Sequence, residues 1–597
     1  MHCLALNKTL SMTKPPSFYY IIFCCLFFAC SHQKTSISQT VILQEQDSTS
    51  IEKISISQTL KQNEHLPIEK RIALYYQLKK ESPTQYNFKN EDELNMYGYS
   101  LLWSNRPKEA LAIFKLIVAE FPHSSNAYDS LGEAYLALGN EELSLLNYEK
   151  SLELNPDNFN AEDQIERIKF PDKIPEKPAD KFFKTYTVKE YREDLDQLAQ
   201  KLIEIHPATF KFTPEEDFKA LIEEKKAAIT KTTTYGEFSW HCAEIIASVN
   251  CSHTSSGRFY PQREMLPPHL WFPIQVRWVN DHLYVVDPLN NKDKVALKDE
   301  ITAINGIAVK DMIEDIYKHI PSQGHIETTK RIEFNSWAPV MIPYTLEFPE
   351  KYEITIKGKK NSIVLNKAEK MKILFFDPSI PYCGNNLCLE FLEEEKTAVL
   401  TVSSFNYYAW NALDEFEDFM DSSFALINSK GTKNLVIDLR FNGGGSPESS
   451  IYLLRYLSSK PFHYYGNADY PGAENKQQQI PFENAFKGNN YFIIDGLGNS
   501  TTGHFMSMVK ELDLGITVGE ELGSNHFCTA GQATCRLSNS KLMYYVANNS
   551  NSTSAKSLPD NRGIFPDYEV VQNIDDYLNK VDAVKDFTFQ LIKKSNQ

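Results

Sequence analysis

The amino-acid sequence predicts a multidomain α+β protein: helical repeats, then a helical segment, a β-rich region and a C-terminal α/β core. Three observations lead to this prediction. A block of residues repeats with a shift of 34 between positions 94 and 156. Apolar residues then recur every three or four positions from 188 to 247, which is the spacing of amphipathic helices. From residue 398 onward, buried-type strands alternate with helical stretches, as in a largely parallel sheet covered by helices.

Length and charge limit the classes of protein that the chain can belong to. With 597 residues it is long enough for several domains. The formal net charge is -16, and no run of Lys or Arg offsets this acidity. Because nucleic acids and anionic membrane surfaces attract basic proteins, the charge argues against both as partners.

Residues 1–30 are predicted to be a lipoprotein signal peptide. Two lysines precede an apolar run from Phe18 to Ala29, which is too short to span a bilayer but suits the core of a signal peptide. The following Ala-Cys pair resembles a bacterial lipoprotein cleavage site and makes Cys30 the expected lipid anchor. This predicts a protein of the bacterial cell envelope that is held to a membrane by acyl chains alone. An ordinary secretory signal or a short anchor is the alternative, and the polar stretch 31–65 is expected to be a tether.

Residues 66–170 are predicted to form helical repeats. The 34-residue shift superposes Gly98 on Gly132 and Phe114 on Tyr148. A glycine in the first helix and an aromatic residue in the second, at this period, resemble tetratricopeptide repeats, which implies a surface for a protein partner. A helical stack with a purely structural role is the alternative.

Residues 180–260 are predicted to be a helical segment and residues 265–370 a β-rich subdomain. Within the first, Thr213 is expected to be an N-cap, with Pro214 at the first helical position. Within the second, the stretch 298–306 resembles PDZ domains, which bind peptide ends by adding a strand to a sheet edge. A β-rich subdomain without a peptide groove is the alternative.

Six cysteines outside the leader fall into three close pairs. An even number of cysteines in local pairs is typical of disulfides in an oxidising compartment. Their spacing is not that of a zinc ribbon and no histidine joins them in a ligand pattern, which argues against a zinc site. Buried thiols are the alternative. The predicted disulfides are Cys242–Cys251, Cys383–Cys388 and Cys528–Cys535.

Residues 390–590 are predicted to form the α/β core and to contain a candidate nucleophile. A buried strand ends at Asp495, a glycine-rich turn follows, and a helix begins just after Ser500. Such a turn presents a serine above the sheet, beside helix N–H groups that can stabilise an oxyanion. A serine in this position can also be a simple helix cap.

Three other segments could supply partners for Ser500. Residues 438–445 place three glycines after a buried strand, and no Lys–Ser/Thr pair follows them as a phosphate loop would require. Ser252 and His253 lie in a polar turn after the helical segment. Asp560 lies in a turn near the end of the chain and could orient a histidine, although such residues are often only turn formers.

Together, these segments resemble the tail-specific, or C-terminal processing, serine protease family, and especially its tricorn-like and Bacteroidetes-type branch. The resemblance covers roughly residues 191–571 and keeps the order of the family's segments. It implies a protease core of the ClpP/crotonase-like type that acts on peptide or protein substrates without a metal or organic cofactor.

The resemblance also implies roles for individual residues. Ser500 matches the nucleophile and His253 the general base, with Asp560 and Ser252 orienting the imidazole. The main-chain N–H groups of two further residues would form the oxyanion hole, and these are Gly444 and Thr501.

Two departures from the family leave alternatives open. The lysine that many bacterial members carry about two dozen residues after the serine is absent, which leaves His504 and His526 as competitors of His253. The nucleophile turn is also bulkier than is usual, so a catalytically degenerate, peptide-binding or scaffold lipoprotein is the alternative function. An assembly adaptor that acts through the repeats is a third.

Overall fold

A computed structural model describes residues 54–174, 176–256, 265–367, 380, 383–392, 396–408, 412–467 and 477–595. The predicted signal peptide, Cys30 and most of the predicted tether lie outside the described residues. Every helix within the described residues is either too short or too polar to cross a bilayer.

Seven helices and two short strands make up the N-terminal region. The strands β1 (Ile54–Ser55) and β2 (Tyr86–Asn87) pair in parallel. The helices are α1 (Ile56–Gln62), α2 (Ile68–Glu81), α3 (Glu91–Trp103), α4 (Pro107–Glu120), α5 (Ser125–Ala137), α6 (Glu141–Leu154) and α7 (Phe159–Lys169).

The two glycines that the 34-residue shift superposes have equivalent surroundings. A Cβ atom at Gly98 would lie 2.5 Å from the Phe114 ring, and one at Gly132 would lie 3.1 Å from the Tyr148 ring. Each glycine therefore lets an aromatic ring of the following helix pack directly against the backbone of the preceding one. Both rings are fully buried, so these contacts contribute to the core of each helix pair.

The helical segment contains four helices: α8 (Pro178–Phe182), α9 (Val188–Ile205), α10 (Glu215–Ala228) and α11 (Tyr235–Ala247). Capping boxes at Thr187 and Thr234 fix the starts of the second and fourth. The predicted cap at Thr213 is wrong by one position. Pro214 is the N-cap, because the Thr213 hydroxyl instead donates to the Ser248 carbonyl at 2.6 Å.

The β-rich region is a small antiparallel sheet that shares its hydrophobic core with the helical segment. Its strands follow the order β3-β4-β5-β7-β8, with β6 paired to β5. The strands are β3 (Gln275–Val279), β4 (His282–Asp287), β5 (Glu300–Ile304), β6 (Ile307–Ala308), β7 (Glu353–Ile356) and β8 (Ile363–Val364). Two helices, α12 (Val309–Tyr317) and α13 (Glu327–Met341), lie between β6 and β7.

The C-terminal core is a six-stranded sheet in which all neighbours are parallel except the β9–β10 pair. The strand order is β21-β16-β15-β11-β10-β9. These strands are β9 (Leu387–Leu392), β10 (Thr397–Val402), β11 (Asn434–Asp438), β15 (Asn489–Ile494), β16 (Ile516–Gly519) and β21 (Tyr568–Glu569). All five residues of β11 are buried, as expected of a strand that helices cover on both faces.

Helices cover both faces of this sheet. Leu435 and Ile437 pack with the helices of one face, whereas Val436, between them, packs with Ile592 on the other. This alternation is the two-residue period of a strand. The helices are α14 (Leu413–Ser429), α15 (Pro447–Leu457) and α16 (Thr501–Glu511) on the first face, α18 (Ala583–Ser595) on the second, and the short α17 (Ile574–Asn579) before it.

Short strands beside the core connect it to the helical segment. They are β12 (Phe462–His463), β13 (Tyr465–Asn467), β14 (Gln478–Gln479), β17 (Phe527–Ala530), β18 (Ala533–Arg536), β19 (Met543–Val546) and β20 (Asn549–Thr553). Tyr544 and Val546 of β19 belong to the hydrophobic core of the helical segment. Ser255 also forms two main-chain hydrogen bonds with Tyr545, of 3.0 and 2.7 Å. The end of the helical segment is thereby fixed to the protease core.

Only one of the three predicted cysteine pairs is a disulfide in the structure. Cys383 and Cys388 are joined, whereas the cysteines of the other two pairs are free thiols. Cys251 instead lies with its sulfur 2.8 Å from the Thr529 hydroxyl. Cys528 and Cys535 lie on strands of different sheets, which separates their side chains. The disulfide predictions Cys242–Cys251 and Cys528–Cys535 are therefore wrong.

Thiol titration can test this pattern. A chain without residues 1–30, denatured in the absence of reductant, is expected to expose four reactive thiols. After reduction the number should rise to six, because the disulfide contributes two more. Finding two thiols or none before reduction would instead support the pairings predicted from the sequence.

Candidate active site

Ser500 occupies a strained turn between β15 and α16. Its backbone angles are φ 53° and ψ −124°, a conformation that non-glycine residues rarely adopt. Strain of this kind persists only where the surrounding structure enforces it, and it is concentrated at functional sites. The next residue, Thr501, is the first of α16, so its N–H points out of the helix end without an intrahelical acceptor.

The glycine-rich loop after β11 lies directly against this turn. Gly444 has φ +99°, and a Cβ atom there would lie 2.7 Å from both the Asn499 carbonyl oxygen and the Ser500 Cβ. The same atom would lie 3.0 Å from the Thr501 nitrogen. Only glycine combines this φ with so close an approach, which explains the glycine at this position.

Asn442, at the start of the glycine-rich loop, binds the loop to the nucleophile turn. The residue is fully buried, and its Oδ1 accepts hydrogen bonds from the Gly444 N–H at 3.0 Å and the Thr502 hydroxyl at 2.8 Å. Its Nδ2 donates to the Val402 carbonyl at 2.9 Å. Sequence reasoning missed this role, although Asn442 is the asparagine of the segment that resembles the protease family.

The hydrogen bond to Asn442 corrects one predicted role. The N–H of Gly444 was expected to donate to an oxyanion, but in the structure it donates to the Asn442 side chain. The asparagine competes for this donor because its carboxamide folds back over the loop. Among the two predicted oxyanion donors, only Thr501 has an N–H that its own helix leaves available.

The segment containing His253 reaches the nucleophile turn through two side-chain contacts. The Ser252 hydroxyl donates to Asn499 Oδ1 at 2.9 Å, next to Ser500 in the chain. From the other side, Gln532 Nε2 donates to the His253 carbonyl at 2.7 Å. The structure therefore brings Ser252 and His253 to Ser500 across about 250 residues of sequence, as the family resemblance implied.

The thiol of Cys528 contacts both the candidate nucleophile and the candidate base. Its sulfur lies 3.8 Å from His253 Nδ1, and it contacts the Ser500 side chain. Burial raises the pKa of this thiol well above its ordinary value, although the contact with Ser500 lowers it slightly. A thiol that stays protonated is a weak nucleophile, so Cys528 does not compete with Ser500. Nothing in the sequence analysis pointed to this contact.

The structure does not pair Asp560 with His253. The Asp560 carboxylate instead contacts His526 Nε2 at 2.7 Å and Lys211 Nζ at 2.6 Å. Asn525 fixes this arrangement by donating to the Asp560 carbonyl at 2.7 Å, which holds the turn beside His526. Burial raises the pKa of Asp560, but Lys211 and His526 outweigh it and hold the pKa below its ordinary value.

His504 is unsuited to act as a base at neutral pH. It lies one turn along α16 from Ser500 and is almost fully buried. Burial, with smaller contributions from the nearby His526 and His253, lowers the pKa of its imidazole to about 3. A general base works best with a pKa near the operating pH, which makes His504 the weakest of the three candidates.

One family model and several solved structures are similar to parts of this chain. The family model described as Peptidase family S41 matches residues 396–570, and no curated protein matches the chain. Among solved structures, mature CPAF is 13% identical with a TM-score of 0.47, and the match covers 69% of this chain and 99% of that one. The photosystem II D1 C-terminal processing protease is 13% identical, covering 64% and 93%, with a TM-score of 0.32. The tricorn protease is 14% identical, covering 69% and 37%, with a TM-score of 0.31.

The family match includes most of the six-stranded sheet, the glycine-rich loop and the whole nucleophile turn. It also includes the turn that contains Asp560, whereas His253 lies outside it. Residues 396–570 of this chain are therefore a serine peptidase domain of family S41.

Proposed function

We propose that the protein is a serine endopeptidase of the C-terminal processing type, which hydrolyses exported peptides or proteins by acyl transfer. The observation that carries this proposal is the strained Ser500 turn, packed against the glycine-rich loop and joined to the His253 segment. In that position a serine hydroxyl has a helix N-terminus beside it and a histidine close by, which is the arrangement that acyl transfer needs.

The proposed mechanism assigns one step to each group. Ser500 attacks the scissile carbonyl carbon while His253 accepts the hydroxyl proton, which it later donates to the leaving amine. The Thr501 N–H donates to the oxyanion of the tetrahedral intermediate. Ser252, which is hydrogen-bonded to Asn499 and lies 3.4 Å from His253 Nδ1, orients the imidazole. Water then hydrolyses the acyl-enzyme by the same route.

A second assignment of the base has its own support. His526 has a carboxylate partner, since Asp560 Oδ1 lies 2.7 Å from His526 Nε2. In this version His526 accepts the Ser500 proton, and Asp560 orients its imidazole as the acid of a triad does.

The regions outside the core are proposed to control location and partner choice. The repeated glycine–aromatic contacts of the N-terminal helices support tetratricopeptide repeats that bind a protein partner. The antiparallel sheet of the β-rich region, with its edge strand β8, supports a PDZ-like peptide site. The Ala-Cys pair at the end of the leader supports a lipid anchor at Cys30 in the bacterial cell envelope.

Labelling with an active-site-directed fluorophosphonate probe tests the proposed function. We expect the probe to modify wild-type protein at Ser500, because only an activated serine reacts with it readily, and we expect no labelling of Ser500→Ala. Peptide mapping identifies the modified residue, and circular dichroism confirms that the variant is folded. A folded wild-type protein that neither reacts with the probe nor cleaves unstructured peptides would instead be a peptide-binding protein with a protease fold.

A further inference from the structure

One carboxylate joins the glycine-rich loop to the nucleophile turn. Asp495 follows β15, five positions before Ser500. Its Oδ2 accepts the Phe441 N–H at 3.2 Å, and its Oδ1 accepts the Leu497 N–H at 3.1 Å. Phe441 belongs to the glycine-rich loop, and Leu497 belongs to the nucleophile turn. The two oxygens of the Asp495 side chain therefore hold one residue of each loop.

The backbone of Phe441, which donates one of these two hydrogen bonds, has an unfavourable conformation. Phe441 has φ 65°, which is unusual for a bulky residue, and the next residue is the buried Asn442 that holds Gly444. The hydrogen bond from the Phe441 N–H to Asp495 helps to maintain this φ. Losing it would let the start of the glycine-rich loop relax, and Gly444 would move relative to Ser500.

Two charged side chains on the neighbouring elements act on Asp495, and each of them is paired with oppositely charged groups. Arg440 follows β11, but its guanidinium is shared in bidentate contacts with Asp438 and with Asp582. Glu520 follows β16 and forms an ion pair with Arg331 of α13. Because the charge of Arg440 is largely neutralised by its two carboxylates, it favours ionisation of Asp495 only in part.

These surroundings make Asp495 titrate near neutral pH. The residue as a whole keeps some solvent exposure, but its carboxyl group is enclosed by protein. Burial raises the pKa of Asp495 to about 7, while the Phe441 N–H and then Arg440 oppose the rise and Glu520 adds to it. The group is therefore protonated in mildly acidic solution and ionised in mildly alkaline solution.

We propose that ionised Asp495 is a positioning residue that aligns the glycine-rich loop with Ser500, so that full peptidase activity requires its carboxylate form. This inference rests on the proposed function. A carboxylate accepts both N–H groups strongly, whereas the protonated oxygen of a carboxylic acid is a donor and a much weaker acceptor. Protonation therefore weakens the hydrogen bond from either the Phe441 or the Leu497 N–H. The reacting groups then lose alignment, which lowers the rate of the chemical step more than substrate binding.

The pH dependence of kcat/KM for an unstructured peptide tests this proposal. In the wild type, two groups must lose protons: the imidazole base, whose ordinary pKa is near 6.5, and Asp495. Between about pH 5 and 6, log kcat/KM should then rise with a slope clearly above 1 that approaches 2. In Asp495→Asn the second titration is absent, so the slope should be about 1. We expect kcat of this variant at pH 8 to be lower by about 10²-fold with KM nearly unchanged, because a steep pH dependence requires the form without the carboxylate to be nearly inactive.

Asp567→Asn is the matched control. The Asp567 carboxylate also accepts a strand N–H, from Thr517 at 2.8 Å, and it pairs with Lys510, but it contacts neither loop. This variant should lose stability and keep the wild-type slope. An active wild type with a slope near 1 overturns the inference alone, whether or not Asp495→Asn folds. An active Asp495→Asn that keeps the steeper slope does the same. A wild type without hydrolysis overturns the proposed function, and this inference with it.

Discussion

Replacing His253 with alanine is expected to lower kcat/KM by on the order of 10³-fold or more, as removal of a triad member does. A serine hydroxyl is a weak nucleophile until a neighbouring base takes its proton. His253 lies beside the nucleophile turn because Ser252 bonds to Asn499, and the Cys528 thiol contacts both its ring and Ser500. An imidazole also titrates near neutral pH without a large perturbation, which suits proton transfer there.

Two histidine variants make this test specific. His504→Ala should retain a base, since burial holds the pKa of His504 at about 3 and the imidazole takes no proton at neutral pH. His526→Ala removes the partner of Asp560 and should lose about tenfold or less if His526 only supports the local structure. A loss of 10³-fold in His526→Ala, with His253→Ala close to wild type, would assign the base to His526 and its acid to Asp560.

Elements with strong local patterns were predicted closely from the sequence. The helices α9 and α11 lie within the stretch 188–247 that has helical spacing, and strands alternate with helices from β10 onward, as predicted. Each of these segments has a periodicity and end residues that depend only on its own sequence. The position of Ser500 at a strand-to-helix turn was predictable for the same reason, because a buried strand and a glycine-rich turn precede it.

The relations between distant segments were predicted less well. Asp560 was assigned to His253, yet it pairs with His526 and Lys211 from two other parts of the chain. The Gly444 N–H was assigned to an oxyanion, yet the side chain of its neighbour Asn442 accepts it. Several polar side chains could reach each of these two groups. Which of them becomes the partner depends on how β17 and the turns pack in three dimensions. A single sequence carries no local pattern for such a choice.

The same limit explains the cysteines and the residues that were missed. Close spacing in sequence favoured the pair Cys528 and Cys535, but consecutive strands belong to different sheets here. Asn442 and Asp495 stand in segments that had been recognised for their glycines and for Ser500. Their functions come from bonds between those two segments, which become visible only when the loops are seen side by side.

The glycine-rich loop gives the second large effect that we expect. Gly444→Ala should lower kcat by about 10²–10³-fold, because the new Cβ would displace Ser500 or the Thr501 N–H, from whose nitrogen it would lie 3.0 Å. A loss of this size is seen when a donor to the oxyanion is removed. At φ +99° an alanine is strained, and its Cβ would lie 2.7 Å from the Ser500 Cβ and the Asn499 carbonyl oxygen. Backbone atoms cannot move aside cheaply, so the loop or the nucleophile turn must shift. The measurement is kcat and KM with the rate of fluorophosphonate labelling at Ser500.

Gly443→Ala is the control next in the chain. A Cβ atom at Gly443 would meet no other atom within 4 Å, and its φ lies outside the range that disfavours side chains. This variant keeps every main-chain N–H of the loop and should stay within about threefold of wild type, as expected of a surface substitution. Thermal melting checks that both variants fold. If Gly444→Ala is folded but is labelled slowly, the defect lies at the Ser500 hydroxyl itself. Equal losses in the two variants would contradict the role given to the close approach of Gly444 to Ser500.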